Sequence, residues 1–179
     1  MLERPEEVLF VDGYNIINAW PNLQSAKEID LETARQKLVD IMSEYSALTG
    51  VKVKVVFDAH MVEGGRRIIE NINGVEVVYT KERETADNYI EKMVESYGKE
   101  SGKEYRVRVA TSDFLEQRIV LGKGAIRVSA RELLYEVNRI FEERRKKEDI
   151  MKSRKETLAD RLDETTLKSL INRIKGCQA

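Results

Sequence analysis

The sequence is poor in the two residues that most often bind transition metals or act as nucleophiles and bases. Its 179 residues include one cysteine, Cys177, and one histidine, His60. A single cysteine excludes a disulfide framework within the chain and suits a reducing compartment. A single histidine argues against zinc sites built on histidine and against Ser-His-Asp or Cys-His catalysis. The candidate functional groups that remain are oxygen-bearing side chains.

The sequence also lacks long apolar runs and an excess of charge of either sign. No apolar run approaches the roughly 20 residues that a membrane-spanning helix needs. Lys and Arg number 31 against 32 Asp and Glu, so the net charge is −1 and any nucleic-acid site must be local. The first seven residues include four charged ones and lead straight into an apolar strand. We therefore expect a cytoplasmic protein.

Glycine-rich phosphate loops are absent as well. The sequence contains no Walker motif, which disfavours a P-loop nucleotidase. The first predicted strand is not followed by a G-x-G-x-x-G motif, which disfavours a dinucleotide-binding Rossmann site.

What the sequence does contain is an alternation of strand-like and helix-like segments. Strands are predicted at residues 8–11, 51–57, 75–80, 105–111 and 125–128, and helices at 31–48, 86–97, 114–121 and 130–141. Pro21 is expected to stop a helical turn at Trp20, with loops at 21–29 and 59–73. This order predicts an α/β fold, a three-layer α/β/α sandwich with a mainly parallel central sheet. Residues 1–141 would form this domain and residues 142–179 a C-terminal helical extension.

Aspartates stand where the predicted strands end. Asp12, Asp58 and Asp113 follow apolar strands, and Asp87 begins a helix. The carboxyl ends of parallel strands share one edge of a sheet, so these four side chains are expected to converge there. The ordinary alternative for each is a solvated or helix-capping aspartate, since such residues outnumber catalytic ones by roughly 10 to 1.

Converging carboxylates repel one another unless some are protonated or a cation lies among them. Oxygen ligands without cysteine or histidine favour Mg²⁺ or Mn²⁺. Such an ion binds phosphate, lowers the pKa of a water molecule and stabilises the transition state of phosphoryl transfer. The pattern therefore indicates metal-dependent phosphoryl chemistry.

Five strings of the sequence resemble those of a known family. They are Val-Asp-Gly-Tyr-Asn (11–15), Val-Val-Phe-Asp-Ala-His (55–60), Thr-Ala-Asp-Asn-Tyr-Ile-Glu (85–91), Ala-Thr-Ser-Asp-Phe-Leu-Glu-Gln (110–117) and Gly-Ala-Ile-Arg-Val-Ser-Ala-Arg-Glu-Leu (124–133). In this order they resemble the NYN-domain proteins of the YacP type, a branch of the PIN-like nucleases. The resemblance runs from about Val8 to Phe141.

The resemblance implies a PIN-like fold and a divalent-metal endoribonuclease that cleaves messenger RNA in association with the ribosome. By the matching motifs, Asp12, Asp87 and Asp113 resemble the metal-binding acids and Asp58 a fourth catalytic acid. The polar residues that orient them would be Asn15, Thr111 and Ser112. Two alternatives stay open: an inactive RNA- or ribosome-binding module that holds metal, and a phosphatase or nucleotidase acting on a small phosphate ester.

Cations and aromatic residues near this edge are candidates for RNA contact. The candidate phosphate-binding residues are Arg66, Arg67, Lys81, Arg83, Arg118 and Arg127. For most of them a solvated surface is the ordinary alternative, but Arg66 and Arg67 follow a glycine pair and would suit a clamp. Tyr14, Trp20 and Tyr89 are candidates for stacking on bases, with core packing as the alternative.

Overall fold

The computed structural model describes residues 5–58, 66–99, 104–113, 122 and 124–161. This part of the chain contains six strands: β1 (Glu6–Asp12), β2 (Lys52–Phe57), β3 (Ile68–Ile72), β4 (Val75–Tyr79), β5 (Tyr105–Ala110) and β6 (Ile126–Val128). It also contains five helices: α1 (Gly13–Ala19), α2 (Pro21–Ile29), α3 (Leu31–Thr49), α4 (Ala86–Lys99) and α5 (Ala130–Arg161). The helix predicted at 114–121 lies outside the described residues.

The strands form one sheet in the order β3-β4-β2-β1-β5-β6. All neighbouring pairs are parallel except β3 with β4, so the predicted mainly parallel sheet is confirmed. The chain builds outward from β1 through β2 to β4, and then returns to the other side of β1 with β5. The order reverses between β1 and β5. In open α/β sheets the crevice at such a reversal is the usual place for a ligand.

Helices cover both faces of the sheet. On one face, Phe10 and Val109 of the central strands pack against Tyr89, Ile90 and Val94 of α4. On the other face, the Tyr45 hydroxyl of α3 donates to Glu136 of α5 at 2.6 Å. Val8 to Val11 of β1 are completely buried between the two layers, as expected for a central parallel strand. The three-layer α/β/α arrangement is therefore confirmed.

Two segments predicted to be loops are regular elements. Residues 21–29 form helix α2, because Pro21 occupies its first turn, where a missing N–H costs nothing. Residues 68–72 form strand β3, which turns through Asn73 and Gly74 into β4. Both turn residues have positive φ, 50° and 86°, the conformation that a two-residue hairpin needs.

The helix ends follow the signals in the sequence. Asp30 accepts a hydrogen bond from the Thr33 N–H at 3.0 Å, and α3 ends at Gly50 in the left-handed conformation. At the start of α5 the Ser129 hydroxyl accepts from the Glu132 N–H, and the Glu132 carboxylate accepts from the Ser129 N–H. This reciprocal pair is the predicted capping box.

The chain divides into two compact units, residues 1–138 and 139–179. The first contains the sheet, and the second begins within helix α5. The domain boundary predicted at residue 141 also lies inside this helix. In the second unit, residues 142–153 are exposed, and Arg144 pairs with Glu148 one turn later. No helix in the described part of the chain is long and apolar enough to cross a membrane.

Candidate active site

Asp12 ends β1 and begins α1. Its carboxylate accepts a hydrogen bond from the Asn15 N–H at 3.0 Å, so it does cap the helix, as the ordinary alternative held. However, Asp12 is only 7% exposed, unlike a solvated cap. Burial, together with the charges of Asp87 and Asp58, raises its pKa to about 6 against the opposing hydrogen bonds from Asn15. Capping and a place in an acidic site are therefore combined in one residue.

Gly13 allows this strand to pass directly into a helix. A Cβ atom at this position would overlap the side-chain ring of Phe57, the completely buried last residue of β2. The backbones of β1 and β2 can therefore stay in close register while the chain turns at Asp12.

Asn15 connects the end of β1 with the loop after β5. Its side-chain N–H donates to Asp12 Oδ2 at 3.3 Å, and its side-chain oxygen accepts from the Ser112 backbone N–H at 3.1 Å. In the same loop, the hydroxyl of the completely buried Thr111 accepts from the Asp113 N–H at 3.0 Å. The structure thus places Asn15, Thr111 and Ser112 between Asp12 and Asp113, where orienting residues would lie. Asp113 itself is exposed.

Asp58 and Asp87 meet at the start of α4. The Asp58 carboxylate accepts a hydrogen bond from the Ala86 N–H, and the Thr85 hydroxyl accepts from the Asn88 N–H at 3.2 Å. Asp87 lies in the first turn of this helix and is half-buried. Asp58 therefore ties the end of β2 to the helix that carries Asp87. The sequence did not indicate this supporting role of Asp58.

The described carboxylates share the carboxyl edge of the sheet, but they do not form a closed ligand set. Asp58 and Asp87 lie near enough to Asp12 to raise its pKa. Among the described residues, no three His, Cys, Asp or Glu side chains are grouped closely enough to hold a metal ion. The donor chemistry, a buried carboxylate beside two others, suits a hard divalent cation. The ligand assignment to Asp12, Asp87 and Asp113 stays a prediction.

The predicted phosphate-binding cations occupy different settings. Arg66 is exposed just before β3, and Lys81 and Arg83 are exposed in the turn between β4 and α4. Arg127 lies on β6, with its guanidinium 4.0 Å from the Glu132 carboxylate. Arg118 lies outside the described residues, as does His60. Arg66, Lys81 and Arg83 thus lie on the β4 side of the carboxyl edge of the sheet. We call this edge, which carries Asp12, Asp58, Asp87 and Asp113, the acidic edge.

Arg67 is already engaged by the protein. Its Nη2 donates to both oxygens of the Glu84 carboxylate, at 2.8 and 2.7 Å. Its guanidinium carbon lies 4.6 Å from the centre of the Tyr89 ring, a cation–π contact. This pairing holds the Arg67 guanidinium in place within the fold, and the clamp expected from Arg66 and Arg67 stays a prediction.

The structure adds residues that the sequence did not indicate. Glu84 is buried although no motif marks it, and Arg35 of α3 donates to the Tyr14 hydroxyl at 3.0 and 2.8 Å. The sequence did contain one signal that could have located the partner of Glu84, namely the Asn73-Gly74 hairpin turn. Reading it as a hairpin pairs Ile68 with Tyr79, which brings Arg67 alongside the start of the turn that contains Glu84.

Two of the three candidate stacking aromatics belong to the core. Trp20 is 1% exposed and its indole N–H donates to the Ala130 carbonyl at 2.8 Å. Tyr89 is 4% exposed beneath Arg67. The prediction that Trp20 stacks on RNA bases is therefore wrong for this conformation, whereas Tyr14 is half-buried beside Asp12.

Comparison with known proteins supports one family throughout. The family model described as the YacP-like NYN domain matches residues 9–175, which extends beyond the resemblance ending near Phe141. The uncharacterized protein YacP of Bacillus subtilis (strain 168) is 48% identical over 134 residues, covering 75% of this chain and 76% of that protein.

Two crystal structures of Rae1 (YacP) from Bacillus subtilis share the fold. One covers 94% of this chain and 95% of its own, with 41% identity and a TM-score of 0.68. The other, of a mutant with a leucine in place of a tryptophan, covers 81% of each chain with 46% identity and a TM-score of 0.64. The agreement in sequence and fold extends over most of both proteins.

Proposed function

Because this chain belongs to the YacP-like NYN domain family, we propose that it is an endoribonuclease that depends on Mg²⁺ or Mn²⁺. The family suggests a nuclease-like function related to RNA. The observation that carries the finer proposal is Asp12, a carboxylate 7% exposed at the reversal point of the sheet, with its pKa raised to about 6 beside Asp58 and Asp87. Burial of the charged carboxylate costs stability at neutral pH, and any N-cap could serve the helix, so a cation or substrate that it binds is the best reason for its burial.

In the proposed mechanism Asp12, Asp87 and Asp113 would hold the cation. The bound cation would supply Lewis-acid activation of the phosphodiester and of the attacking water. Asn15 orients the Asp12 carboxylate through two hydrogen bonds and fixes the loop of Ser112. The exposed side chains of Arg66, Lys81 and Arg83 would bind phosphates of the RNA on either side of the cleaved bond.

The resemblance in the sequence extends the proposal to the substrate. We propose messenger RNA, cleaved in association with the ribosome in the cytoplasm. A near-neutral chain, whose described residues place three exposed cations at the acidic edge, is expected to bind single-stranded RNA weakly by itself, because phosphate neutralisation provides most of such affinity. A large assembly that presents the RNA would compensate for this weakness.

One specific observation favours a second candidate, an RNA-binding module without catalysis. The described residues contain no group of three acids close enough to hold a metal ion. In this second case the aspartates at the acidic edge would no longer support catalysis, and Lys81 and Arg83 in the turn after β4 would still contact RNA.

One assay separates these functions. The full chain is incubated with Mn²⁺ and end-labelled single-stranded RNA, with and without ribosomes, and in parallel with a generic phosphate monoester. Internal cuts that disappear in Asp12→Asn support the endoribonuclease. Binding without cleavage under every condition supports the module, and release of phosphate from the monoester would support a phosphatase instead.

A further inference from the structure

Glu84 is a buried carboxylate that the proposed mechanism does not use. Its side chain is 3% exposed and lies between two cations, Arg67 at 2.7 Å and Lys92 at 3.3 Å. Burial alone would raise the pKa of Glu84, but the hydrogen bonds from Arg67 and Lys92 outweigh burial and lower it. Glu84 is therefore held as a charged group within the fold.

This carboxylate lies in the turn that joins β4 to α4. The Glu84 N–H donates to the Lys81 carbonyl at 3.0 Å, and the preceding residue, Arg83, has a positive φ of 65°. A residue other than glycine is strained in this left-handed region and persists there only where its surroundings hold it. The ion pair with Arg67 supplies such a restraint, because it anchors the turn to the start of β3.

The turn determines where Asp87 lies. Asp87 is three residues beyond Glu84, in the first turn of α4. The start of this helix is fixed at two points: Asp58 accepts from the Ala86 N–H, and Glu84 is fixed by Arg67 from the neighbouring hairpin. If the second point were released, core packing would still hold α4 on the sheet, but the turn that leads into the helix would lose its tie to the hairpin. Asp87, in the first turn of the helix, would then shift relative to Asp12.

We propose that Glu84, through its pair with Arg67, is a positioning residue that sets Asp87 for cation binding. This inference rests on the proposed function, since it assumes that Asp87 is a ligand. It assigns to Arg67 a part in the site different from direct contact with RNA. A pair that only stabilised the fold would leave the affinity for cations unchanged in the folded protein.

The test measures Mn²⁺ binding to the full chain by isothermal titration calorimetry, well below the melting temperature. In Glu84→Gln we expect the dissociation constant for Mn²⁺ to rise about 10-fold or more, the usual effect of removing a partner that orients a ligand. Glu76→Gln is the matched control, since it breaks a 2.8 Å pair with Lys54 between two strands of the same sheet and leaves the turn intact. The control is expected to bind Mn²⁺ as the parent does.

A second variant covers the case in which Glu84→Gln does not fold. Arg67→Met removes the nitrogen that donates to both Glu84 oxygens and keeps an apolar stem over Tyr89, so a loss of Mn²⁺ affinity is expected here too. Parent-like Mn²⁺ affinity in a folded Glu84→Gln protein, or in folded Arg67→Met, would overturn the inference while leaving the proposed function standing. A parent protein that neither binds Mn²⁺ nor cleaves RNA would instead overturn the proposed function, and this inference with it.

Discussion

Asn15 and Ser112 join two strand ends that are 97 residues apart in the sequence, through a 3.1 Å hydrogen bond from the Ser112 N–H to the Asn15 side chain. The same amide also donates to Asp12. The link spans the position where the strand order reverses between β1 and β5. The two acids on either side of this position, Asp12 and Asp113, are therefore set relative to each other by one side chain.

Replacing Asn15 with Ala should reduce RNA cleavage more than 10-fold and the free energy of unfolding by about 1–2 kcal/mol, since two side-chain hydrogen bonds are lost. Asn18→Ala is the control, because Asn18 lies on the same helix but is exposed. RNA cleavage rates and urea unfolding of both variants measure the contribution of Asn15 to activity and to stability. Equal activity of the two variants would remove Asn15 from the site.

Asp12 should make the metal-free protein less stable as the pH rises. Its pKa in the folded state is about 6, above the ordinary value of 3.8, so between these pH values the folded state binds more protons than the unfolded state. The free energy of unfolding contributed by Asp12 therefore falls as the pH rises from about 4 to about 6, by up to about 3 kcal/mol. Well above pH 6 the Asp12 carboxylate is charged in both states, and the free energy of unfolding has been lowered by the full amount.

Asp12→Asn should remove this slope and keep the helix cap, since Asn caps as well as Asp. At pH 7 the metal-free variant should be more stable than the parent, and at pH 4 the two should be nearly equal. Urea unfolding of both proteins from pH 4 to pH 8 measures the difference. A difference that does not change with pH would contradict the raised pKa of Asp12.

Asp113→Asn should abolish cleavage and weaken the rise in melting temperature that Mn²⁺ causes. The metal-free variant should melt no lower than the parent, because a negative charge near the acidic edge is removed while the shape is kept. Melting in EDTA and in Mn²⁺, alongside RNA cleavage, provides the measurement. A fully active Asp113→Asn enzyme would show that the β5 end is not part of the active site.

Arg66→Ala should weaken RNA binding and flatten its dependence on salt, because Arg66 is exposed beside the acidic edge. One lost phosphate contact lowers the slope of log K against log salt by about 0.7 for single-stranded RNA. Lys52→Ala, at the amino end of β2 and hence at the opposite edge of the sheet, is the control and should keep the parent slope. An unchanged slope in Arg66→Ala would exclude Arg66 from RNA contact.

Gly13→Ala should destabilise the fold by about 2–4 kcal/mol, since the added methyl group overlaps the ring of the completely buried Phe57. The double variant Gly13→Ala with Phe57→Leu should recover part of this loss, because the smaller side chain leaves room for the methyl group. Thermal unfolding of the single and double variants tests the coupling. Additive losses would show that the two residues do not compete for the same space.

The central part of the fold could be read from the sequence because its signals are local. Runs such as Val8 to Val11 are apolar without alternation, which marks strands buried on both faces, and Ser129 with Glu132 marks a helix start. The positions of the aspartates after the strands followed from the parallel order. Helix α2 and strand β3 were missed, because a proline was read as a stop and because Ile68 and Ile69 are exposed on an edge strand.

The contacts that tie the site together could not be read in this way. The pair of Arg67 and Glu84 and the contact of Asp58 with Ala86 join residues far apart in sequence, and each depends on the side-chain orientation in the folded chain. The burial of Asp12 is also a tertiary property. A list of charged residues could not show which cations are already paired within the fold, as Arg67 is with Glu84.

The central position of β1 determines the order in which the protein can be completed during synthesis. Residue 10 faces residue 54 on one side and residue 109 on the other, so β1 receives its second neighbour about 100 residues after its own synthesis. At translation rates of roughly 5–20 residues per second, this delay lasts about 5 to 20 seconds. During that time a strand whose residues 8–11 are apolar has one unpaired edge and is incompletely covered, a state in which exposed apolar strands are prone to aggregate. The site at the junction of β1 and β5 is thus among the last features to form, although its first carboxylate is the twelfth residue of the chain.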